Sequence, residues 1–242
     1  VTGGSRGLGA ALGRRLAWEG ARVVLVAREA AALEETARSI ARQGGEVHAI
    51  AADIGDKEAV HRIAGAAAAL VGPIDLLVHN ASTLGPVPLR PLLETDCEEL
   101  ERTLAVNLVG PFRLSKLIVG SMALRQRGLV IHVSSDAAVN GYARWGAYGV
   151  SKAALDHLGR IWGAEVEGAG VRFVSIYVPN GGKDYAAKMA FLAELSAWTA
   201  ARQTSGEPLV TALMGTDRAA RAAARRRTRR TPRAAGPPPG GA

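Results

Sequence analysis

Short apolar runs alternate with amphipathic helical segments along most of this 242-residue chain. β-Branched and apolar residues fill the runs, and between them apolar residues recur at helical spacing. The predicted strands are 21–27, 46–51, 74–80, 128–135 and 171–178, and the predicted helices are 30–43, 57–70, 96–124 and 147–167. Strands that alternate with helices in this way favour a parallel sheet covered on both faces. The sequence therefore predicts an α/β fold.

A glycine-rich loop stands at the start of the sequence. Gly3, Gly7 and Gly9 occur directly before an amphipathic segment that ends at Gly20. Glycines let a backbone approach a pyrophosphate closely, and the N–H groups at a helix start attract anions. Because strand 21–27 completes a loop, helix and strand unit, we interpret the loop as part of a dinucleotide site rather than as a simple turn. Little sequence precedes it, so we expect the first strand of the sheet to be truncated.

A second pattern predicts proton-transfer chemistry. Ser135 ends a predicted strand, and Tyr148 and Lys152 follow at one-turn spacing on a predicted helix. A cation held close to a phenol favours the phenolate, so this tyrosine can serve as a general acid/base. Ser135 could hold the substrate oxygen by a hydrogen bond. A tyrosine and a lysine at this spacing alone would indicate an ordinary helix face, but the serine at a strand end makes that interpretation weaker.

Together these motifs resemble the short-chain dehydrogenase/reductase family, over Val1 to about Val178. The matching stretches are TGGSRGLG, ADIGD (52–56), HNAS (79–82), Asn107, Ser135 and YGVSK. The resemblance implies a single Rossmann-type doubly wound parallel sheet with helices on both faces. It also implies a nicotinamide-dependent enzyme that transfers hydride to or from a ketone or secondary alcohol.

The resemblance assigns roles to individual residues. Tyr148 would be the acid/base, Lys152 would bind the nicotinamide ribose and lower the pKa of the tyrosine, and Ser135 would orient the substrate. Asn107 would shape the site and hold a water beside the lysine. The implied cofactor-binding residues are Gly3, Ser5, Arg6, Gly7, Leu8, Gly9, Arg28, Asp53, Ile54, Asn80, Ala81, Tyr148, Lys152 and Pro179. His79 and Ser82 replace the outer residues of the family's NNAG turn.

The charge at the end of strand 21–27, the second strand of a dinucleotide-binding unit, bears on the choice of cofactor. An acidic residue there usually accepts from the ribose 2′-hydroxyl of NAD, whereas an arginine suits the 2′-phosphate of NADP. This chain has Ala27 and Arg28, and Arg6 lies in the glycine loop. We therefore predict NADP(H) in preference to NAD(H), with two solvated surface arginines as the alternative interpretation.

The net charge of +8 would suggest a nucleic-acid partner. However, residues 218–242 contain eight of the 30 basic residues and no acid, which leaves 22 basic against 22 acidic residues elsewhere. We expect a catalytic domain over 1–216 and an Arg/Pro/Gly-rich low-complexity tail over 217–242 that could bind polyanions nonspecifically. A catalytically weak, cofactor-binding remnant is a further alternative, because the first strand is short and the end of the chain matches the family poorly.

Other features narrow the expected class of protein. No GxSxG, HExxH or CxxC pattern indicates a hydrolase or a metal site, and Cys97 is the single cysteine. We find no membrane-spanning run and no secretory signal, so we expect a cytoplasmic protein. The resemblance implies a homodimer or homotetramer that acts on a small carbonyl or alcohol. We expect a lid helix over 183–203, a last strand over 205–215, and Trp145 either at the substrate pocket or in the core.

Overall fold

The computed structural model describes residues 1–178 of the chain. Pro179, the predicted lid helix, the predicted last strand and the boundary at residue 216 lie outside these described residues. The helices are α1 (Gly7–Trp18), α2 (Ala30–Ala41), α3 (Lys57–Val71), α4 (Cys97–Leu104), α5 (Gly110–Leu124) and α6 (Gly146–Glu165). The strands are β1 (Val23–Ala27), β2 (Val47–Ala51), β3 (Leu76–His79), β4 (Gly128–Ser135) and β5 (Val171–Val178).

All strand pairing among the described residues is parallel. β1 pairs with β2, and β4 lies between β3 and β5. The two groups of strands approach each other at Val1 and Thr2, where the Thr2 amide donates to the Val78 carbonyl at 2.9 Å and the Val26 amide donates to the Val1 carbonyl at 3.0 Å. Thr2 also bridges Val26. The α/β class with parallel strands is confirmed, and Val1 and Thr2 lie between β1 and β3.

Helices cover both faces, because alternate residues of a strand point to opposite sides. On one face Leu25 packs with residues of α1 and α2 such as Leu16 and Leu33. On the other face Val24 and Val26 pack with residues of α3 and α5. All eight residues of β4 are buried. This arrangement places the carboxyl ends of the parallel strands together at one edge, where ligands bind in open α/β sheets.

The predicted helix over 96–124 differs from the structure in its middle. α4 passes into a single π-helical turn, Ala105–Val109, before α5 begins at Gly110. Asn107 lies at the centre of this turn and is fully buried. π-Helical turns inside α-helices often occur at functional sites.

No helix within residues 1–178 is long and apolar enough to cross a bilayer.

Candidate active site

A cavity of about 210 Å³ lies at the carboxyl ends of β1, β2 and β3. Its walls contain residues from all three strand ends and from the glycine loop. The residues that the sequence predicts at the cofactor and that line this cavity are Gly3, Ser5, Arg6, Arg28, Asp53, Ile54, Asn80 and Ala81. Most of the predicted cofactor residues are thus brought together around one space, and that space suits the adenosine half of a dinucleotide.

Two glycines of the loop have different structural roles. Gly7 has a φ of +56° and open space where a side chain would be, at the first residue of α1. At Gly9, a Cβ atom would lie 2.2 Å from the Gly3 carbonyl oxygen, so this glycine allows the helix to pack on the loop. Leu8 packs on the apolar cluster around Leu12 and is not among the residues of the cavity. Of the motif, Gly3, Ser5 and Arg6 line the cavity, whereas Gly9 lies against the Gly3 carbonyl.

Two arginines are placed at the β1 end of the cavity. Arg6 is exposed at the start of α1, and the Arg28 guanidinium lies 4.0 Å from a carboxylate oxygen of Asp53. The Arg28 side chain is 57% exposed, so this ion pair contributes little to stability and leaves the guanidinium free to reach a ligand. Asp53 also accepts from the Gly55 amide, which fixes its orientation.

Ser135, Tyr148 and Lys152 meet where β4 ends against α6. The Ser135 hydroxyl is near enough to the Tyr148 phenol to lower its pKa, and Ser135 is fully buried at the last residue of β4. The Lys152 ammonium lies 5.7 Å from the centre of the tyrosine ring. The structure thus brings together the three residues that the sequence predicts for proton transfer.

The pKa of Tyr148 differs in direction from the expectation. Burial raises this pKa above its usual range, the hydrogen bond from Ser135 lowers it, and the charge of Asp136 raises it again. Lys152 does not contribute to this shift, because its ammonium is directed away from the phenol and donates to the Val133 carbonyl at 2.8 Å. A phenol with a raised pKa keeps its proton at neutral pH.

Lys152 is 2% exposed, an unusual degree of burial for a lysine. Desolvation lowers its pKa to about 8, and the nearby charge of Asp156 opposes that shift. A buried ammonium with one carbonyl partner lowers the stability of the folded chain, since the unfolded chain can hydrate the charge. Such a residue suggests a function other than stability.

We expect Lys152→Met to stabilise the protein at pH 7 by about 1–3 kcal/mol, because the unfavourable charge is removed while the stem still fills the space. Between pH 8 and the unfolded value near 10.5, the unfolded parent binds a proton that the folded parent does not, so parent stability rises with pH and the advantage shrinks. Urea unfolding at pH 7 and pH 9 measures this. Lys116→Met, at an exposed site on α5, is the control; a destabilised Lys152→Met at both pH values would contradict the expectation.

Asn107 connects the π-helical turn to the chain after β3. Its Oδ1 accepts from the Thr83 amide at 2.8 Å, and its Nδ2 donates to the Thr83 carbonyl at 2.8 Å and to Ser151 Oγ at 2.9 Å. The sequence predicts Asn107 at the site, next to a water and the lysine. In the structure its side chain is fully occupied by direct protein contacts, which hold the segment after β3 against α6.

Two serines that the sequence analysis did not assign a role take part in this network. Ser151 accepts from Asn107 and donates to the Tyr148 carbonyl at 2.7 Å. Ser82 donates to Asn107 Oδ1 at 3.2 Å. The sequence could have predicted that Ser151 belongs to the site, because it is a polar residue three positions after Tyr148 and therefore lies on the same helix face.

Trp145 packs against Tyr148, and whether it lines the substrate pocket stays a prediction. Its ring is 5.7 Å from the Tyr148 ring in an edge-to-face arrangement and is partly buried. Within residues 1–178, no group of three or more His, Cys, Asp and Glu side chains could hold a metal ion.

Comparison with known proteins shows the family to which this chain belongs. The short chain dehydrogenase family model matches residues 1–184. A fatty acyl-CoA reductase of Acinetobacter baylyi is 35% identical over 181 residues, which are 74% of this chain and 60% of the relative. This chain thus spans less than two thirds of the length of that relative.

Solved structures agree with this result. A metagenomic short-chain oxidoreductase in complex with NADP has a TM-score of 0.70 and 36% identity, over 80% of this chain and 88% of the other. NAD⁺-bound xylitol dehydrogenase has a TM-score of 0.70 and 28% identity, over 74% of this chain and 68% of the other. With a matching family model over most of its length and a site of the corresponding residues, the chain belongs to the short-chain dehydrogenase family of oxidoreductases.

Proposed function

We propose that the protein is an NADP(H)-dependent reductase or dehydrogenase for a ketone and its secondary alcohol. The observation that carries this proposal is the Tyr148 ring with the buried Lys152 ammonium 5.7 Å from its centre, beside the buried Ser135 at the end of β4. These groups lie at the same edge of the sheet as the cavity that suits the dinucleotide. The solved structures of relatives support it as well, since one holds NADP and another holds NAD⁺.

The protein's own groups would manage the oxygen and its proton. NADPH, when bound, supplies the hydride for the carbonyl carbon. Ser135 would hold the carbonyl oxygen by a hydrogen bond, and Tyr148 would transfer its phenolic proton to that oxygen, which gives the alcohol. The raised pKa of Tyr148, caused first by burial, keeps the phenol protonated for this direction. In the reverse direction the phenolate would accept the proton of the alcohol.

Lys152 and the glycine loop would hold the cofactor. The loop from Gly3 to Gly7 would receive the pyrophosphate at the start of α1, and Asp53 and Ile54 would lie at the adenine. Lys152 would bind the nicotinamide ribose once its ammonium turns from the Val133 carbonyl. Arg28 and Arg6 would bind a 2′-phosphate, and their exposed guanidinium groups support NADP(H) over NAD(H).

The test titrates the purified chain with NADPH and with NADH by nucleotide fluorescence and screens carbonyl compounds for NADPH oxidation. We expect tighter binding of NADPH, and we expect Arg28→Ala to weaken NADPH binding about tenfold while NADH binding changes little, since a charge-assisted hydrogen bond is lost. Arg62→Ala, at an exposed site on α3, is the control. Tighter binding of NADH would overturn the cofactor assignment, and binding without turnover of any carbonyl would overturn the proposed reaction.

A homodimer or homotetramer stays a prediction from the resemblance. Apolar side chains that are 39–55% exposed on α5 and α6 support a contact there; they are Phe112, Leu117, Val150 and Ile161. Single exposed apolar residues are common on monomers, so the support comes from their number on two helices.

A further inference from the structure

Apolar side chains are exposed on the two segments that lie next to the start of α6. One segment joins β3 to α4, and the other joins β4 to α6. Leu92 is 65% exposed and Val139 is 75% exposed, although aliphatic side chains of this size are usually buried. We call the following residues of the two segments the apolar rim: Leu92, Leu93, Val139, Tyr142 and Trp145.

Three aromatic rings of this region form a row that begins at the proposed acid/base. The Trp145 ring lies 5.7 Å from the Tyr148 ring and 6.4 Å from the Tyr142 ring, and both contacts are edge-to-face. Tyr148 and Trp145 are partly buried, whereas Tyr142 is exposed. The row therefore extends from the reacting phenol to the surface of the protein, and it is apolar along its length.

The segment after β3 reaches the same place through Leu92. The Leu92 side chain packs on the backbone of Gly146, the residue after Trp145, so closely that a side chain at Gly146 would collide with it. Leu93, the next residue, is fully exposed. Apolar side chains from two separate segments thus lie beside the aromatic row.

Polar groups of the segment after β4 are bonded to one another. The Asp136 carboxylate accepts from Ser135 Oγ at 3.1 Å and from the Tyr142 phenol at 3.0 Å, and the Asp136 carbonyl accepts from the Asn140 amide at 2.9 Å. These bonds hold the segment in place and make its polar atoms less available to a ligand. Arg144 is an exposed charge in the same segment, so the test includes an acidic substrate.

We propose that the apolar rim binds an aliphatic or aromatic substituent of the substrate, so that the enzyme prefers carbonyl compounds with a large apolar group. The proposal rests on the proposed carbonyl chemistry of Tyr148 and names its substrate class. Because the rim is continuous with the Tyr148 ring, a substrate held at the phenol can extend directly over it. Each methylene that is fully removed from water there strengthens binding by about fourfold.

The test measures kcat/KM with NADPH for methyl ketones of increasing length, from butanone to octanone. We expect kcat/KM to rise about twofold to fourfold for each added methylene, mainly through a lower KM. A variant with both Leu92→Ser and Val139→Ser should have a flatter rise, because hydroxyl groups replace the apolar contacts. Leu124→Ser, at an exposed leucine at the end of α5, is the matched control and should keep the parental rise.

Two results of this series would overturn the proposal. One is a rise with chain length that the double variant leaves intact. The other is a preference for a short keto acid over the ketone of equal length, which would indicate that Arg144 selects the substrate.

A second readout needs no turnover. Straight-chain amides keep the carbonyl group and the chain but are not reduced, and their binding to the NADPH complex should change the emission of Trp145, isolated as parent minus Trp145→Phe. We expect the dissociation constant to fall about twofold to fourfold per methylene. A parent that reduces no carbonyl would overturn the proposed function, whereas the amide series would still decide whether the rim binds apolar chains. Parental dimers that the double variant fails to form in sedimentation would overturn the proposal, since a second copy would then cover the rim.

Discussion

Replacing Tyr148 by phenylalanine should lower carbonyl turnover by about 10²- to 10⁴-fold, the range for loss of a general acid/base. The change removes only the hydroxyl, and the ring can keep its edge-to-face contact with Trp145. The hydroxyl that is lost is the proposed proton donor, while the residues around the dinucleotide cavity are unchanged. We therefore expect kcat to fall. The dissociation constant for NADPH should stay within about twofold of the parent value, since the loss of a cofactor contact worth about 1.4 kcal/mol would change it tenfold.

Stopped-flow measurement of NADPH oxidation with the best carbonyl found in a screen would give kcat, and fluorescence titration would give the affinity. Tyr177→Phe is a matched control, because Tyr177 is a half-exposed tyrosine on β5 and loses the same atom. A Tyr148→Phe variant that turns over as fast as Tyr177→Phe would contradict the assignment of the acid/base.

Acid should destabilise the protein through two buried histidines on neighbouring strands. His79 and His132 are each 1% exposed, their rings are 5.3 Å apart, and His79 Nε2 lies 2.9 Å from Ser115 Oγ. Burial lowers the pKa of His132 to about 4 and lowers that of His79 well below its usual value. Both rings are therefore neutral in the folded protein at neutral pH.

The direction in which stability changes with pH follows from proton uptake by the unfolded chain. Below pH 6.5 the unfolded chain protonates these histidines and the folded chain does not, so stability is lost as the pH falls toward 4. His132 alone should account for about 3 kcal/mol over this window, a large fraction of the stability of an ordinary domain. Urea unfolding at a series of pH values from 7.5 to about 4.5 would measure the slope.

A variant with both His79→Asn and His132→Asn should have a flatter slope, whatever its absolute stability, because asparagine does not titrate. His61→Asn, at an exposed position on α3, should keep the parental slope. Equal slopes for the double variant and the parent would show that other groups cause the acid sensitivity.

The sequence predicted the elements that repeat a simple pattern. The predicted strand 128–135 and the bounds of β4 are identical, and Ser135, Tyr148 and Lys152 meet as their spacing indicates. Strand 21–27 is shorter in the structure, because the chain leaves α1 through Gly20 at a φ of +82° and the Ala21 amide still bonds to Leu16. Patterns of this kind depend on neighbours in the sequence, which is why they can be read from it.

The features that were missed depend on distant residues. The π-helical turn at Asn107 comes with hydrogen bonds to Thr83, 24 positions away, and no local pattern indicates it. The burial of His79 and His132 depends on their strands being covered on both faces, where an apolar run does not show which polar residue is enclosed. The orientation of Lys152 toward Val133 likewise required the packed structure.

The dinucleotide cavity lies where the β1–β2 pair meets the group of β3, β4 and β5. Within residues 1–178, Val1 and Thr2 make the backbone hydrogen bonds that link β1 to β3, and beside them lies a cavity of about 410 Å³. Residues from both groups of strands line this cavity, with Arg28 after β1 and Asn80 after β3. A ligand bound there would contact residues of both groups, and it would stabilise the folded chain by an amount that grows with its free concentration relative to its dissociation constant.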